Sequence, residues 1–262
     1  METIDIKVLP LLFSFLLLTV PIYLSHVFKI GFIRSLLYSV VRMAVQLFLI
    51  GIFLKYLFRL NNPYANIAWL VVMILVAVFS AIRNSSLKAG KVLVPAFVSF
   101  TIVTLAIVLY LNGVIIRMKN IFDARYLIVL GGMLLGSSLR GNIIGISSFY
   151  KNIRKDSKRF LYILSLGATR HEAVLPFLRE SVQLAVRPTL ASMATMGIVA
   201  LPGMMTGVIM GGASPEVAIK YQIMIMLAIV TSTISSIVLT ILMTTHICFS
   251  GYGTLKADIF RK

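Results

Sequence analysis

The chain has 262 residues, of which 59% are hydrophobic and only 13% are charged. A soluble domain would carry about a quarter charged residues, so this composition excludes an ordinary soluble protein. The formal net charge of +17 would suit nucleic acid, but the sequence contains no soluble basic module that would bind it. The lone cysteine, Cys248, excludes an intramolecular disulfide. We therefore look for membrane functions and expect no nucleic-acid partner.

Apolar runs of roughly 20 residues recur along the whole length, and each is long enough to cross a bilayer as a helix. They predict an all-α, polytopic integral membrane protein in which residues 1–262 form a single transmembrane domain in contact with membrane lipid. We predict seven spans, at about 8–28, 36–58, 65–82, 92–116, 126–149, 184–212 and 219–249.

Lys and Arg are unevenly distributed between the connections. The connections at 29–35, 83–91 and 150–183, together with the C-terminal tail, carry about twice as many basic residues as the connections on the opposite side. Basic residues collect in cytoplasmic loops. The bias therefore predicts an external N-terminus and a cytoplasmic C-terminus, in a multi-pass protein of the plasma membrane (the inner membrane of a bacterium).

The spans lack the side chains of several transport and catalytic mechanisms. Every acidic residue falls in a predicted loop or tail, which disfavours a proton-coupled carrier because such carriers rely on intramembrane carboxylates. The three histidines lie far apart in the sequence, without metal-ligand spacing. No phosphate-binding G-x-x-x-x-G-K-[ST] motif is present. We expect a non-enzymatic chain that binds no cofactor of its own and does not bind ATP through a P-loop.

The connection at 150–183 is the longest and contains a helix-turn-helix pattern. Gly167 is placed to end a basic helix, and Thr169 followed by Glu172 predicts a capping box that starts the next helix. Pro176 should keep that second helix short. One interpretation is an amphipathic helix lying on the inner leaflet. The interpretation that we favour is a docking segment for a cytoplasmic partner.

Basic and neutral polar residues lie within the predicted spans. Arg42 and Gln46 stand one helical turn apart in the second span, Arg140 lies in the fifth, and Arg187 begins the sixth. These arginines fit snorkelling toward lipid phosphate. They equally fit an inner vestibule that attracts anions or chelated substrates, and we take Arg42 and Gln46 as candidates for the translocation pathway.

The segment at 201–212 is unusual for a spanning helix. Pro202 should break it, and glycines recur every four residues, a spacing that permits close helix packing. Methionine thioethers suit soft metals, although methionine also fills ordinary helix contacts. We expect this break in the outer half of the bilayer, as an outer gate or a re-entrant turn. The pathway candidates are Pro202, Gly203, Met204 and Met205, the metal candidates are Met204 and Met205, and the packing candidates are Gly203, Gly207 and Gly211.

Further glycine pairs in the fifth span, Gly132 with Gly136 and Gly141 with Gly145, predict other close helix contacts. These contacts would lie either within one subunit or across a dimer.

Three strings carry a resemblance to a known family. They are Leu164-Ser165-Leu166-Gly167-Ala168-Thr169, Leu201-Pro202-Gly203-Met204-Met205-Thr206-Gly207, and Ala213-Ser214-Pro215-Glu216 continuing through Ala218-Ile219-Lys220-Tyr221-Gln222-Ile223. Over most of its length, and most specifically from about 160 to 225, the chain resembles the FetB-type permeases. Bacterial members are membrane subunits of an ABC transporter linked to iron export and peroxide resistance, and plant relatives are linked to aluminium tolerance.

The resemblance implies a separate ABC ATPase subunit that hydrolyses ATP, and a working unit with two copies of each chain. It implies that this chain forms the pathway for export of a metal ion, with iron as the first candidate. The predicted ATPase-coupling residues are Leu166, Gly167, Ala168, Thr169 and Glu172. Two alternatives stay open: a permease for an organic anion or nucleotide sugar, and a non-transporting membrane scaffold or channel.

Overall fold

A computed structural model describes residues 7–85, 87–250, 254–256 and 259. Within them the protein is all-α, as predicted, and six helices are long and apolar enough to cross a membrane. The helices are α1 (Val8–Ser14, followed by a 3-10 turn at Phe15–Leu18), α2 (Thr19–Val27), α3 (Ile33–Leu60), α4 (Pro63–Asn84), α5 (Ala89–Tyr110, continued by a π-helical turn at Leu111–Ile115), α6 (Ala124–Lys155), α7 (Ser157–Ser165), α8 (Arg170–Thr195), α9 (Gly203–Met210) and α10 (Pro215–Cys248).

The hydrophobic core lies among α4 to α8 and α10, and not in the N-terminal helices. The largest fully buried side chains, including Tyr150, Phe149 and Phe100, all come from this bundle. In α1, by contrast, all side chains are exposed, and in α3 most apolar side chains are exposed and Leu57 is the one buried residue. Residues 8–60 therefore lie at the periphery of the bundle and leave most of their apolar surface exposed.

Helices α6 and α10 run in the same direction along a polar seam. Hydroxyl groups of Ser138 and Ser232 lie 2.9 Å apart, Asn142 Nδ2 donates to Ser236 Oγ at 2.8 Å, and Tyr150 donates to Thr244 Oγ1 at 2.7 Å. Each of these pairs is separated by the same 94 residues. A constant separation means that both helices advance together, so they are parallel.

Because α6 and α10 are parallel, the chain between them has to return to its starting side. Helix α8 makes that return and packs against both. Its 26 residues give a length of about 39 Å, more than the roughly 30 Å hydrocarbon core of a bilayer. Because the first half of α8 is polar, α8 is not one of the six helices that are apolar enough to span a membrane. A total of seven crossings stays a prediction.

One sequence-based expectation about this region is wrong. Helix α8 is not short: it continues through Pro176 and Pro188. The residues flanking Pro176 include Val174 and Phe177, which are buried, so tertiary packing outweighs the lost hydrogen bond. The span predicted at 184–212 is broken, as expected, but the break starts before Pro202, since α8 ends at Thr195 and α9 begins at Gly203.

Contacts between connections confirm which of them share a side. The backbone N–H of Lys88 donates to the carbonyl of Ile259 at 2.8 Å, which joins the 83–91 connection to the C-terminal tail. Arg170 donates to the carbonyl of Ser250 at 3.0 Å, so the 150–183 connection lies there too. At the other end, Asn61 Nδ2 donates to Asp123 Oδ2 at 3.0 Å. We refer to these as the inner and outer ends; their cytoplasmic and external assignment stays a prediction.

Candidate functional site

The turn between α7 and α8 is fixed by the predicted capping box. The N–H of Glu172 donates to Thr169 Oγ1 at 3.3 Å, while the N–H of Thr169 donates to Glu172 Oε2 at 2.7 Å. The Thr169 hydroxyl also donates to the same carboxylate oxygen, at 2.8 Å. The capping box therefore satisfies the N–H groups of Thr169 and Glu172 at the start of α8 and fixes the geometry of the turn.

The charge of Glu172 is stabilised by the same contacts. Donation from the Thr169 hydroxyl, and then from the Thr169 backbone N–H, lowers the pKa of the Glu172 carboxyl below its ordinary value of 4.5. The carboxylate also lies at the N-terminus of α8, where the helix dipole favours negative charge. Glu172 is consequently an anion throughout the neutral pH range.

An aromatic cluster attaches the turn to the bundle. Phe160 of α7 is 2% exposed, and its ring lies 6.1 Å from that of Phe177 in α8 and 5.6 Å from that of Phe249 after α10, measured between centroids. A displacement of α7 must therefore move α8 or the end of α10, because interiors are close-packed and transmit strain.

The opposite face of this turn is apolar and open. Tyr162 is 64% exposed and Leu166 is 69% exposed, and Gly167 follows with φ +90° and open space around it. A positive φ suits glycine and not the residues around it. The predicted coupling residues Leu166, Gly167, Ala168, Thr169 and Glu172 thus form one continuous surface at the inner end; their role in coupling stays a prediction.

The outer end of α8 has a different construction. The break predicted at Pro202 begins earlier, where Met196 leaves the helix in an extended conformation and Gly197 follows with φ +88°. Pro202 does not interrupt a helix; it is the N-cap residue of α9. After Met210, a turn at 211–214 leads into α10, against which α9 packs. This chain reversal is compatible with a re-entrant turn, which stays a prediction.

Among the described residues, no other helix packs against Gly203, Gly207 and Gly211, the glycine ridge of α9. A Cβ added at Gly203 or Gly207 would meet no atom within 4 Å, and one at Gly211 would meet only carbonyl oxygens of α9 itself. By contrast, a Cβ at Gly141 would clash with Thr233, and one at Gly145 would come within 2.8 Å of Ile237. The fifth-span pair Gly141 and Gly145 therefore packs within one subunit, while packing by the α9 glycines stays a prediction.

A cavity of about 420 Å³ opens between the end of α8, the following connection and α10. Met193, Met196, Met205 and Met226 line it, together with Gln222. Met204, the other predicted metal candidate, packs against the hydrophobic core instead. The structure thus separates two adjacent methionines that the sequence could not tell apart.

The arginine candidates lie elsewhere. Arg42 and Gln46 line a separate groove of about 730 Å³ between α3, α4 and α6, together with Trp69. Arg140 and Arg187 are exposed, and neither lines this groove or the methionine cavity. The pathway candidates Arg42 and Gln46 are therefore not brought together with Pro202, Gly203, Met204 and Met205 in one cavity of a single chain.

Three methionines and a glutamine of the cavity were not among the sequence candidates. Gln222 and Met226 are spaced i, i+4 and share a face of α10, while Met193 lies in the last turn of α8 and Met196 directly follows that helix. The high density of methionine between 193 and 226 was the available signal. The convergence of α8 and α10 could not be predicted from the sequence, because it depends on the chain reversal through α9.

Comparison with known proteins agrees with this architecture. Residues 8–249 match the model of the Uncharacterised protein family (UPF0014). The chain is 29% identical to "UPF0014 membrane protein YjkA" of Bacillus subtilis over 251 residues, 95% of this chain and 98% of the relative. It is 31% identical to "Probable iron export permease protein FetB" of Escherichia coli over 227 residues, 86% of each chain.

A plant relative is "Protein ALUMINUM SENSITIVE 3" of Arabidopsis thaliana, which is 32% identical over 240 residues, 89% of this chain and 82% of the relative. No solved structure matches the chain. The family match extends from α1 to the residue after α10 and so includes both the coupling turn and the methionine cavity. The chain belongs to the UPF0014 family of multi-pass membrane proteins.

Proposed function

We propose that this protein is the permease subunit of an ABC transporter that exports a metal ion, and that its ATPase is a separate chain. The observation that carries the proposal is the inner-end turn at 164–172. The Phe160 cluster packs one face of this turn against the bundle, and Leu166 is exposed on the other face. A rigid turn with an open apolar face is suited to sit in a cleft of a partner and to transmit the closure of that partner.

The proposed ATPase would act on α8 through this turn. Two permease copies and two ATPase copies form the proposed unit, so that nucleotide-driven closure moves both turns together. The chain itself performs no covalent chemistry in this account, and ATP is bound by the partner. The plasma membrane is the proposed location, with the basic inner end in the cytoplasm.

Iron is the proposed first substrate. The support is the Escherichia coli relative, which is named as a probable iron export permease.

The test is reconstitution of the permease with a candidate ATPase, such as one encoded next to it, followed by ATPase measurements with iron(II), zinc(II), manganese(II) and copper(I). We expect stable co-purification and stimulation that depends on the permease and is largest with iron(II). Absence of any stable complex with an ATPase would support the scaffold or channel alternative and overturn the proposal.

A second substrate class is favoured by one observation. Arg42 and Trp69 line the same open groove, and a groove that offers both a guanidinium and an aromatic ring suits an organic anion or a nucleotide sugar. Arg42→Glu separates the classes, with Arg42→Gln as the uncharged control. Export of a bare cation should be no worse in Arg42→Glu, whereas export of an anion should be lost in Arg42→Glu and weakened in Arg42→Gln.

A further inference from the structure

The outer-end cavity is lined by four thioethers that come from three separate segments. Met193 and Met196 come from the end of α8, Met205 from α9, and Met226 from α10. All four are half-buried, so each retains access to the cavity. Methionine has three rotatable side-chain bonds. The sulfur atoms can therefore be turned into the cavity by changes of side-chain torsion.

Gln222 supplies a second, independent observation. Its side chain is only 6% exposed and lines the same cavity. The amide Nε2 donates to Met196 Sδ at 3.6 Å, while Oε1 is buried with no hydrogen-bond partner in the described part of the chain. A buried acceptor without a partner is destabilising, so this carbonyl oxygen is available as a ligand.

The chemistry of the lining selects the ligand. No Asp, Glu, Lys or Arg side chain lines the cavity, so the charge of a divalent ion would be left uncompensated there. Among the described residues there is also no cluster of three His, Cys, Asp or Glu side chains that would suit a harder metal. Thioether sulfur favours copper(I) and similar soft ions.

We propose that Met193, Met196, Met205 and Met226, with the carbonyl oxygen of Gln222, form a binding site for a soft monovalent cation of the copper(I) and silver(I) class. The site is a property of this chain alone. It goes beyond the proposed export function because it requires neither the ATPase nor iron as the transported ion.

The test is calorimetric titration of the full-length permease, in chloride-free detergent buffer and without an ATPase, with silver(I) nitrate. Silver(I) needs no reductant and therefore serves as the probe. A Cys248→Ala background removes the only thiol of the chain. We expect one silver(I) site in this background, and a Met193→Leu/Met205→Leu double variant that binds silver(I) at least tenfold more weakly.

The matched control is Met204→Leu/Met210→Leu. Met204 packs against the core, and Met210 is exposed outside the cavity, so this pair should bind silver(I) like the background. Leucine preserves side-chain volume, and equal unfolding midpoints without silver(I) would show that both doubles are folded. Gln222→Leu should weaken binding by a smaller factor than the cavity double.

Three results would overturn the site: no silver(I) binding in the background, a cavity double that binds like the background, or a control double that loses as much as the cavity double. A parallel titration with iron(II) should show weaker binding than silver(I), and the reverse order would overturn the soft-cation assignment. Since no ATPase is present, failure of this titration leaves the export proposal intact. A failed ATPase reconstitution likewise leaves the cation site intact.

Discussion

The two ends of α8 differ in how firmly they are held. At the inner end, a capping box, the Arg170 contact with the Ser250 carbonyl and the Phe160 cluster join α8 to α7 and to the end of α10. At the outer end, α8 stops at Thr195, and the next residue, Met196, accepts a long N–H···S bond from Gln222 of α10.

This difference assigns different roles to the two ends. A fixed inner end can transmit a displacement along α8, because α8 packs against α6 and α10. A loosely held outer end can change shape around a ligand, because methionine side chains and a chain reversal both adapt at low energetic cost. In this account α8 is the element that carries movement from one end to the other.

The largest effect should come from placing the same bulky residue in the two regions. Gly145→Val would force a side chain against Ile237 and toward Ala185, whose Cβ lies 3.5 Å from the added Cβ. Overpacking of this kind costs about 1–3 kcal/mol. Thermal unfolding in detergent should show a lower midpoint for Gly145→Val than for the parent.

Gly207→Val is the matched change at the outer end, where no atom lies within 4 Å of the added Cβ. Gly207→Val should leave the midpoint of thermal unfolding unchanged. If α9 packs across the proposed dimer, the same variant should also lower the dimer fraction measured by light scattering. Equal destabilisation by the two valines would remove the distinction between the two regions.

The second prediction concerns transmission at the inner end. Glu172→Lys removes the reciprocal hydrogen bonds with Thr169 and places a positive charge at a helix N-terminus. We expect metal-stimulated ATPase activity of the reconstituted pair to fall at least tenfold while the permease stays folded. Glu172→Gln should keep most of the activity, since glutamine also completes a capping box. Unchanged stimulation in Glu172→Lys would refute the coupling assignment.

A smaller effect is expected in the seam that supports α8. Ser138 and Ser232 form a buried hydroxyl pair at 2.9 Å. Such interhelical bonds in membrane proteins contribute on average about 0.6 kcal/mol. A double-mutant cycle with Ser138→Ala and Ser232→Ala, followed by unfolding in detergent, should give a coupling free energy of this size. A coupling free energy of zero would mean that close packing, and not the polar seam, sets the register between the parallel helices α6 and α10.

The smallest effect concerns pH. The folded-state pKa of Glu172 is lowered below 4.5, so its capping contribution is fully present above the unfolded-state pKa and is lost as pH falls through the folded-state pKa. The activity ratio of wild type to Glu172→Gln should therefore be constant between roughly pH 6 and 8. A ratio that changes within that window would show that Glu172 titrates in the assembled transporter with a raised pKa.

Much of the inner end was predictable from sequence because its signals are local. Thr169 and Glu172 stand three residues apart, and a capping box needs nothing beyond that spacing. The apolar runs likewise predicted the all-α membrane class, since a bilayer imposes the length of a span.

The features that depend on tertiary contacts, at the outer end and along α8 and α6, were less predictable. Local rules stopped a helix at Pro176, yet buried neighbours such as Phe177 carry α8 past it. The methionine site joins residues as distant as Met193 and Met226, and only the chain reversal brings them together. The spacing of Gly141 and Gly145 predicted a close contact but not that α10 is the partner.

The central claim is that this chain forms a metal-export pathway driven by a partner at its inner end. The most direct measurement is ATP-dependent uptake of iron(II) into inside-out proteoliposomes that contain the permease and the ATPase. The account predicts uptake with wild-type permease, and none with Glu172→Lys at equal protein incorporation. ATP-dependent uptake that is as fast in Glu172→Lys, or no uptake of any metal with the intact pair, would contradict it.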